Sequence, residues 1–294
     1  MNSELDSRVR LFRCRLSDRP DQPGMLVDAY ALITERYVVI CDTMICPEDM
    51  EALLGEIRAE LAGRQLLVIN SHADWDHCWG NSYFKGQFAA PIIAHERCRM
   101  RLLAEEAQEK LRENRQQFPY FHSVALVPPT ITFTKRLVIH GGDLTIELFP
   151  TPGHQPDHIA AWIPELRLLM AFDAAERPLL CLNTPETVQE TRVTLQRLKA
   201  MRPRHVLCSH GQTTSPITIE ANLRYLDEIE QRGRALLATR KPADEEIGTA
   251  ALLLGYPLEE VLGDDREAID YDFYRQAHDH NIRHILRWLM QASG

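Results

Sequence analysis

The chain has 294 residues, 45% of them apolar and 26% charged, which is long enough to bury a large core on folding. Its net charge of −9 gives no global positive field to gather nucleic acid or an anionic membrane surface. Seven cysteines without a Cys-x-x-Cys pair, a Met1–Arg15 segment without an apolar signal region, and no apolar run of bilayer length lead us to expect a cytoplasmic protein without a disulfide framework.

Apolar strands are predicted between Met25 and Ile40 on either side of Thr34-Glu35-Arg36, ending at Asp42. A helix should follow, with Pro47 in its first turn, Glu48 and Asp49 at its positive end, and Met50, Leu53, Leu54, Ile57 and Leu61 on one face until Gly63 ends it. Leu66-Leu67-Val68-Ile69 reads as a strand covered on both faces. Three residues past its end begins His72-Ala73-Asp74-Trp75-Asp76-His77, in the position where layered α/β proteins place ligand sites. Glu96 to Phe118 has helical spacing and reads as a helical insertion over about 96–127, closed by Pro128-Pro129; its arginines alternate with glutamates, as on a solvated face.

Strands resume around Ile131 and Phe133, then at Leu137-Val138-Ile139 and at Leu144, Ile146 and Leu148, with Gly141-Gly142 as a hairpin turn. Thr184-Pro185-Glu186 opens a helix that Pro203 stops, and His205-Val206-Leu207-Cys208 reads as one more strand. Beyond Pro216 only helical patterns remain.

Two histidines and two aspartates within residues 72–77 form a dense set of metal-ligand types in a segment too polar for a core. Single candidates follow at strand ends: His154 after Pro152-Gly153, Asp173 in Ala171-Phe172-Asp173-Ala174, and His210 before Gly211. In this order and spacing, over roughly residues 25 to 215, the chain resembles the metallo-β-lactamase superfamily.

That resemblance implies an α/β fold: a four-layer αββα sandwich of two mixed β-sheets with outer helices, plus a C-terminal helical extension. Residues 1–215 would form the sandwich domain, including the insertion, and 216–294 the extension covering the cleft. It implies two divalent metal ions, zinc first, with His72, Asp74 and His154 on one, Asp76, His77 and His210 on the other, and Asp173 bridging. The expected activity is hydrolysis of an ester, thioester, lactone or lactam-type bond of a small-molecule substrate, with a metal-bridging hydroxide as nucleophile and Asp76 relaying a proton. A homodimer is compatible with this reading, and nucleic-acid or membrane partners are not expected.

The chain departs from the family pattern at Asp74, where a histidine is usual. A carboxylate there also suits manganese or iron, and it takes the sum over two divalent ions, their carboxylates and one hydroxide from +1 to zero. Iron-dependent oxygen or persulfide chemistry and non-catalytic metal binding are therefore the competing functions. Asp42 is a candidate to orient His72 or, equally, a turn aspartate. Trp79-Gly80-Asn81 should be structural, His280 and His284 read as surface residues, and Tyr271 and Tyr274 are candidates to reach the substrate. No Gly-x-Ser-x-Gly elbow, P-loop or Gly-x-Gly-x-x-Gly run is present.

Overall fold

A computed structural model of the chain describes residues 5–16, 25–262 and 270–292. The architecture is α/β, with two β-sheets, helices between the strands and further helices at the C-terminal end. The described residues group into two compact units: one falls within residues 1–14, 27–150 and 156–170, the other within residues 15–26, 151–155 and 171–294.

In the first unit, β1 (Val9–Arg15), β2 (Leu26–Ile33), β3 (Tyr37–Cys41), β4 (Gln65–Ile69), β5 (Ile92–His95) and β6 (Ile131–Phe133) lie side by side in chain order. Strands β2 and β3 are antiparallel, whereas β3, β4, β5 and β6 are mutually parallel, so the sheet is mixed. Val38, Val39, Ile40 and Cys41 are buried without alternation, as in a strand covered on both faces. Helix α1 (Pro47–Glu56) lays Met50, Leu53 and Leu54 against Ala31, Val38, Ile40 and Val68 on one of those faces. It stops at Glu56, short of the predicted Gly63, and a 3₁₀ turn over Arg58–Leu61 completes the segment.

The second sheet contains β7 (Leu137–His140), β8 (Thr145–Pro150), β9 (Ile159–Ile163) and β10 (Leu168–Met170), each antiparallel to the next. The loop at Gly141-Gly142 is the predicted hairpin: the Gly141 amide donates to Leu144 O (2.8 Å) and Gly142 takes a positive φ of 101°. The insertion forms two helices, α3 (Glu96–Leu103) and α4 (Glu105–Gln117), where one was predicted; Ala104 adopts an extended conformation between them. Helix α2 (Trp75–Cys78) carries the second half of the histidine motif.

The second unit holds α5 (Thr187–Ala200), β11 (His205–Leu207) and the C-terminal helices α6 (Ile217–Thr239), α7 (Asp244–Ile247), α8 (Ala250–Leu254), α9 (Leu258–Leu262) and α10 (Tyr271–Ala292). Their interior includes a polar knot. The Tyr225 hydroxyl meets His278 Nδ1 (2.9 Å), Asn281 Nδ2 donates to that hydroxyl (3.1 Å), and His278 Nε2 reaches Tyr256 O (2.8 Å). Each of these polar groups is buried with a partner, as a folded interior requires. No described helix is long and apolar enough to cross a membrane.

Candidate metal centre

In the first unit, β4 delivers the chain to a loop in which backbone and side chains are pinned together. The ring of His72 is fully buried, and its Nδ1 lies 2.9 Å from Ser71 Oγ. That hydroxyl donates to Asp42 Oδ2 (2.7 Å), and the Ser71 amide donates to Asp42 Oδ1 (2.6 Å). His77 Nδ1 lies 3.0 Å from the same Oδ2. Asp42 therefore holds His77 directly and His72 through Ser71. It does so from a left-handed φ of 64°, a conformation that aspartate tolerates better than most residues. The orienting role expected toward His72 is thus exercised through Ser71, and directly on His77.

Asp74 sits between two neighbours. Its Oδ1 accepts from Arg101 of α3 (2.6 Å), and its Oδ2 lies 3.4 Å from His72 Nε2. Arg101 also binds the buried Asp157 (2.5 Å), whose other oxygen accepts the Ala73 amide (2.8 Å). Arg101 is thus a clamp on the loop. Of the arginines expected on a solvated face, this one is two-thirds covered, because a buried carboxylate needs a cationic partner. Asp76 Oδ1 stands 3.5 Å from His77 Nε2.

The turn after the motif is structural, as expected. Asn81 exchanges hydrogen bonds with Asn70 (2.9 and 3.0 Å), accepts from Thr43 Oγ1 (2.9 Å) and donates to Val127 O (2.9 Å). A Cβ at Gly80 would meet Thr43 O at 2.0 Å, so only glycine fits there. Cys78 is buried, donates its thiol to Asp74 O (3.2 Å), and is pushed by burial well above the usual thiol pKa, which keeps it an unreactive thiol. A cavity of about 500 Å³ beside the loop is lined by Asp74, Trp75, Trp79, Arg101 and Lys110 among others.

In the second unit, Gly153 has φ 140°, and a Cβ there would come 2.7 Å from Thr191 Cα on α5. Thr194 Oγ1 donates to Pro152 O (2.6 Å), so α5 presses the Pro-Gly-His turn into place. His154 Nδ1 lies 3.2 Å from Cys181 O. Asp173 follows Phe172, a bulky residue at φ 50°, a strained conformation of the kind that clusters at functional sites. His210 Nδ1 lies 2.7 Å from Leu26 O. Asp173 Oδ2 is 3.5 Å from both His154 Nε2 and His210 Nε2.

The C-terminal helices support this second set. Asn222 of α6 accepts from the Glu176 amide and donates to the Glu176 carbonyl, both at 2.9 Å. Asn281 of α10 donates to Leu180 O (2.6 Å) and accepts from Leu182 N (2.8 Å). Cys181 O, the acceptor for His154, is held between those two bonds. The hydroxyl of Tyr274 donates to Arg177 O (3.3 Å) and that of Tyr271 to Glu259; both have structural partners within this unit.

One pattern unites the two sets. Carbonyl and carboxylate oxygens only accept, and the Ser71 hydroxyl already donates to Asp42, so Nδ1 is the donor in all four of these contacts. Each Nε2 then faces a carboxylate oxygen at 3.4–3.5 Å. A positive charge holds such a pair together, whether a proton on the ring or a metal ion that nitrogen and oxygen share. Ligands placed about 2.0–2.2 Å from a shared ion at a tetrahedral angle stand about 3.4 Å apart, so the donor chemistry and spacing fit a divalent metal.

Ser71, Asp157, Arg101, Glu176, Asn222 and Asn281 escaped sequence reasoning. Ser71 adjoins His72 and was within reach of a local reading. The others act across long sequence separations.

Comparison with known proteins points one way. Residues 23–210 match the family model described as Metallo-beta-lactamase superfamily. No curated protein matches the chain. Among solved structures, a metallo-beta-lactamase family protein from Thermus thermophilus is similar at 18% identity and TM-score 0.65, over 97% of this chain and 94% of that one. A metallo-beta-lactamase from Pontibacter korlensis is similar at 18% identity and TM-score 0.58, over 76% of this chain and 97% of that one. DIM-1 metallo-beta-lactamase gives 17% identity and TM-score 0.58, over 76% and 95%. At these identities the likeness concerns the fold, the αββα sandwich.

Proposed function

Because the chain belongs to the metallo-beta-lactamase superfamily, whose members are generally metal-dependent hydrolases, we propose that it hydrolyses an ester, thioester, lactone or lactam-type bond of a small molecule at a site for two divalent ions. His72, Asp74 and His154 would hold one ion, Asp76, His77 and His210 the other, and Asp173 both. The observation that carries this reading is the uniform orientation: four histidines are tied at Nδ1, with Nε2 set 3.4–3.5 Å from a carboxylate oxygen. Metal-binding histidines are held in this way, and the acceptor at Nδ1 fixes ring orientation and raises ligand basicity.

When bound, two such ions supply a hydroxide nucleophile near neutral pH and polarise the scissile group. The chain's own residues do the rest. Asp42 and Ser71 tie two imidazoles at Nδ1 and so turn Nε2 toward the carboxylates, and Arg101 takes up one oxygen of Asp74 so that the other alone faces His72. Asp76, almost fully buried, would carry the proton released during turnover at its carboxylate. The cavity lined by Trp75, Trp79, Arg101 and Lys110 offers an apolar floor and a cationic rim for the acyl part of the substrate.

The test is a panel of esters, thioesters, lactones and lactams assayed with the purified chain before and after Asp173→Ala and His77→Ala. Both variants should lose hydrolysis of whichever substrate works. Retained turnover in metal-depleted Asp173→Ala would contradict the reading. The oxygen donor of Asp74 favours one competing function, iron-dependent redox chemistry; bound iron with persulfide-dependent oxygen uptake, and no hydrolysis, would establish that instead.

A further inference from the structure

Glu176 lies three residues beyond Asp173 and belongs to none of the family's ligand positions. It is 2% exposed. Its backbone is fixed on both sides by Asn222, so the side chain leaves a rigid segment. Its Oε1 has no hydrogen-bond partner among the described residues, and no lysine or arginine pairs with it there. Ligand atoms of His154, Asp173 and Glu176 all lie within 4.8 Å of one another.

Burying a carboxyl is costly unless each oxygen is satisfied. A protonated Glu176 with its hydrogen on Oε1 would need an acceptor, and none is described; an ionised one needs a cation. Both ring nitrogens of His154 already face other oxygens, Nδ1 the Cys181 carbonyl at 3.2 Å and Nε2 the Asp173 carboxylate at 3.5 Å. A divalent ion beside Asp173 answers both needs.

We infer that Glu176 is a further metal ligand, a carboxylate that joins His154 and Asp173 on one divalent cation. This rests on the metal-binding reading above and deepens it. The set at that ion gains an oxygen donor in addition to Asp74, and oxygen-rich sets suit manganese or ferrous iron better than zinc. Glu176 thereby couples the C-terminal helices to the metal, since Asn222 of α6 holds the segment from which it projects.

The experiment is a manganese(II) titration of the full chain, wild type and Glu176→Gln, with free ion read by electron paramagnetic resonance and the apo fold checked by circular dichroism. The wild type should take up two ions per chain. Glu176→Gln should keep one at unchanged affinity and bind the other at least about tenfold more weakly, the scale on which outer carboxylates tune metal sites. Two ions bound with unchanged affinity by Glu176→Gln would overturn the inference while leaving the metal reading intact. No uptake by the wild type would overturn both. Should Glu176→Gln fail to fold, anomalous scattering from the wild-type manganese complex decides. A Glu176 oxygen within about 2.4 Å of the ion supports the inference, and one held away by an intervening side chain refutes it.

Discussion

The two ligand sets are built on different principles. In the first unit, orientation is set by side chains: Asp42 gathers Ser71 and His77, and Arg101 joins Asp74 to Asp157. In the second, His154 and His210 lean on the backbone carbonyls of Cys181 and Leu26. The difference teaches where the site is vulnerable. A side-chain acceptor is removed by one substitution, whereas a carbonyl remains whatever residue carries it, and only the helices that hold the backbone can displace it.

The sharpest way to break this contrast is at Asp42. Asp42→Asn should weaken metal binding and any turnover by about 10–100-fold, because two histidines lose their orienting acceptor at once. Cys181→Ala, which deletes a side chain and leaves its carbonyl, should leave metal affinity unchanged in the same chelator competition. Equal losses in the two variants would erase the distinction.

A smaller effect is expected at Arg101. Arg101→Met leaves the buried Asp157 with the Ala73 amide alone, and should lower stability by about 1 kcal/mol, the arginine being a third exposed. Thermal melts measure this. An unchanged melting temperature would mean that the clamp is a surface pair of no consequence.

The smallest effect lies in the C-terminal helices. His284 is held down to about 4, first by burial and then by His280, Arg287 and Arg283, with Glu186 opposing them. Its two ring nitrogens meet no hydrogen-bond partner among the described residues. The folded chain therefore keeps this ring neutral while the unfolded chain protonates it near its ordinary 6.5. Stability contributed by the neutral ring is present above pH 6.5 and is lost as the pH falls towards 4. His284→Gln should flatten that part of a stability profile measured by urea unfolding. An unaltered slope would assign the acid sensitivity elsewhere.

Much of the framework was legible because its signals are local. Four consecutive apolar residues marked β4, Pro47 with Glu48 and Asp49 marked the start of α1, and Gly141-Gly142 marked a hairpin. The ligand candidates were legible as an ordered set at strand ends. What escaped depends on partners distant in sequence. Arg101 looked like one charge in a solvated run because its carboxylates stand 27 and 56 residues away. Glu176 gave no signal, since burial without a partner has no sequence signature. The break at Ala104 was missed because no proline or glycine announces it. The division of residues 1–215 from 216–294 rested on the loss of strand patterns after Pro216. The bonds from Asn222 and Asn281 to residues 176–182 cross that line, and no local pattern foretells them.

The central claim is that the paired histidines and carboxylates are ligands. Metal content by plasma mass spectrometry measures this most directly, on chain stripped by chelator and reloaded with zinc, manganese or iron, with His77→Ala and Asp173→Ala in parallel. We predict two ions per wild-type chain and fewer in each variant. Equal metal content in all three, or none in the wild type after reloading, would contradict the account.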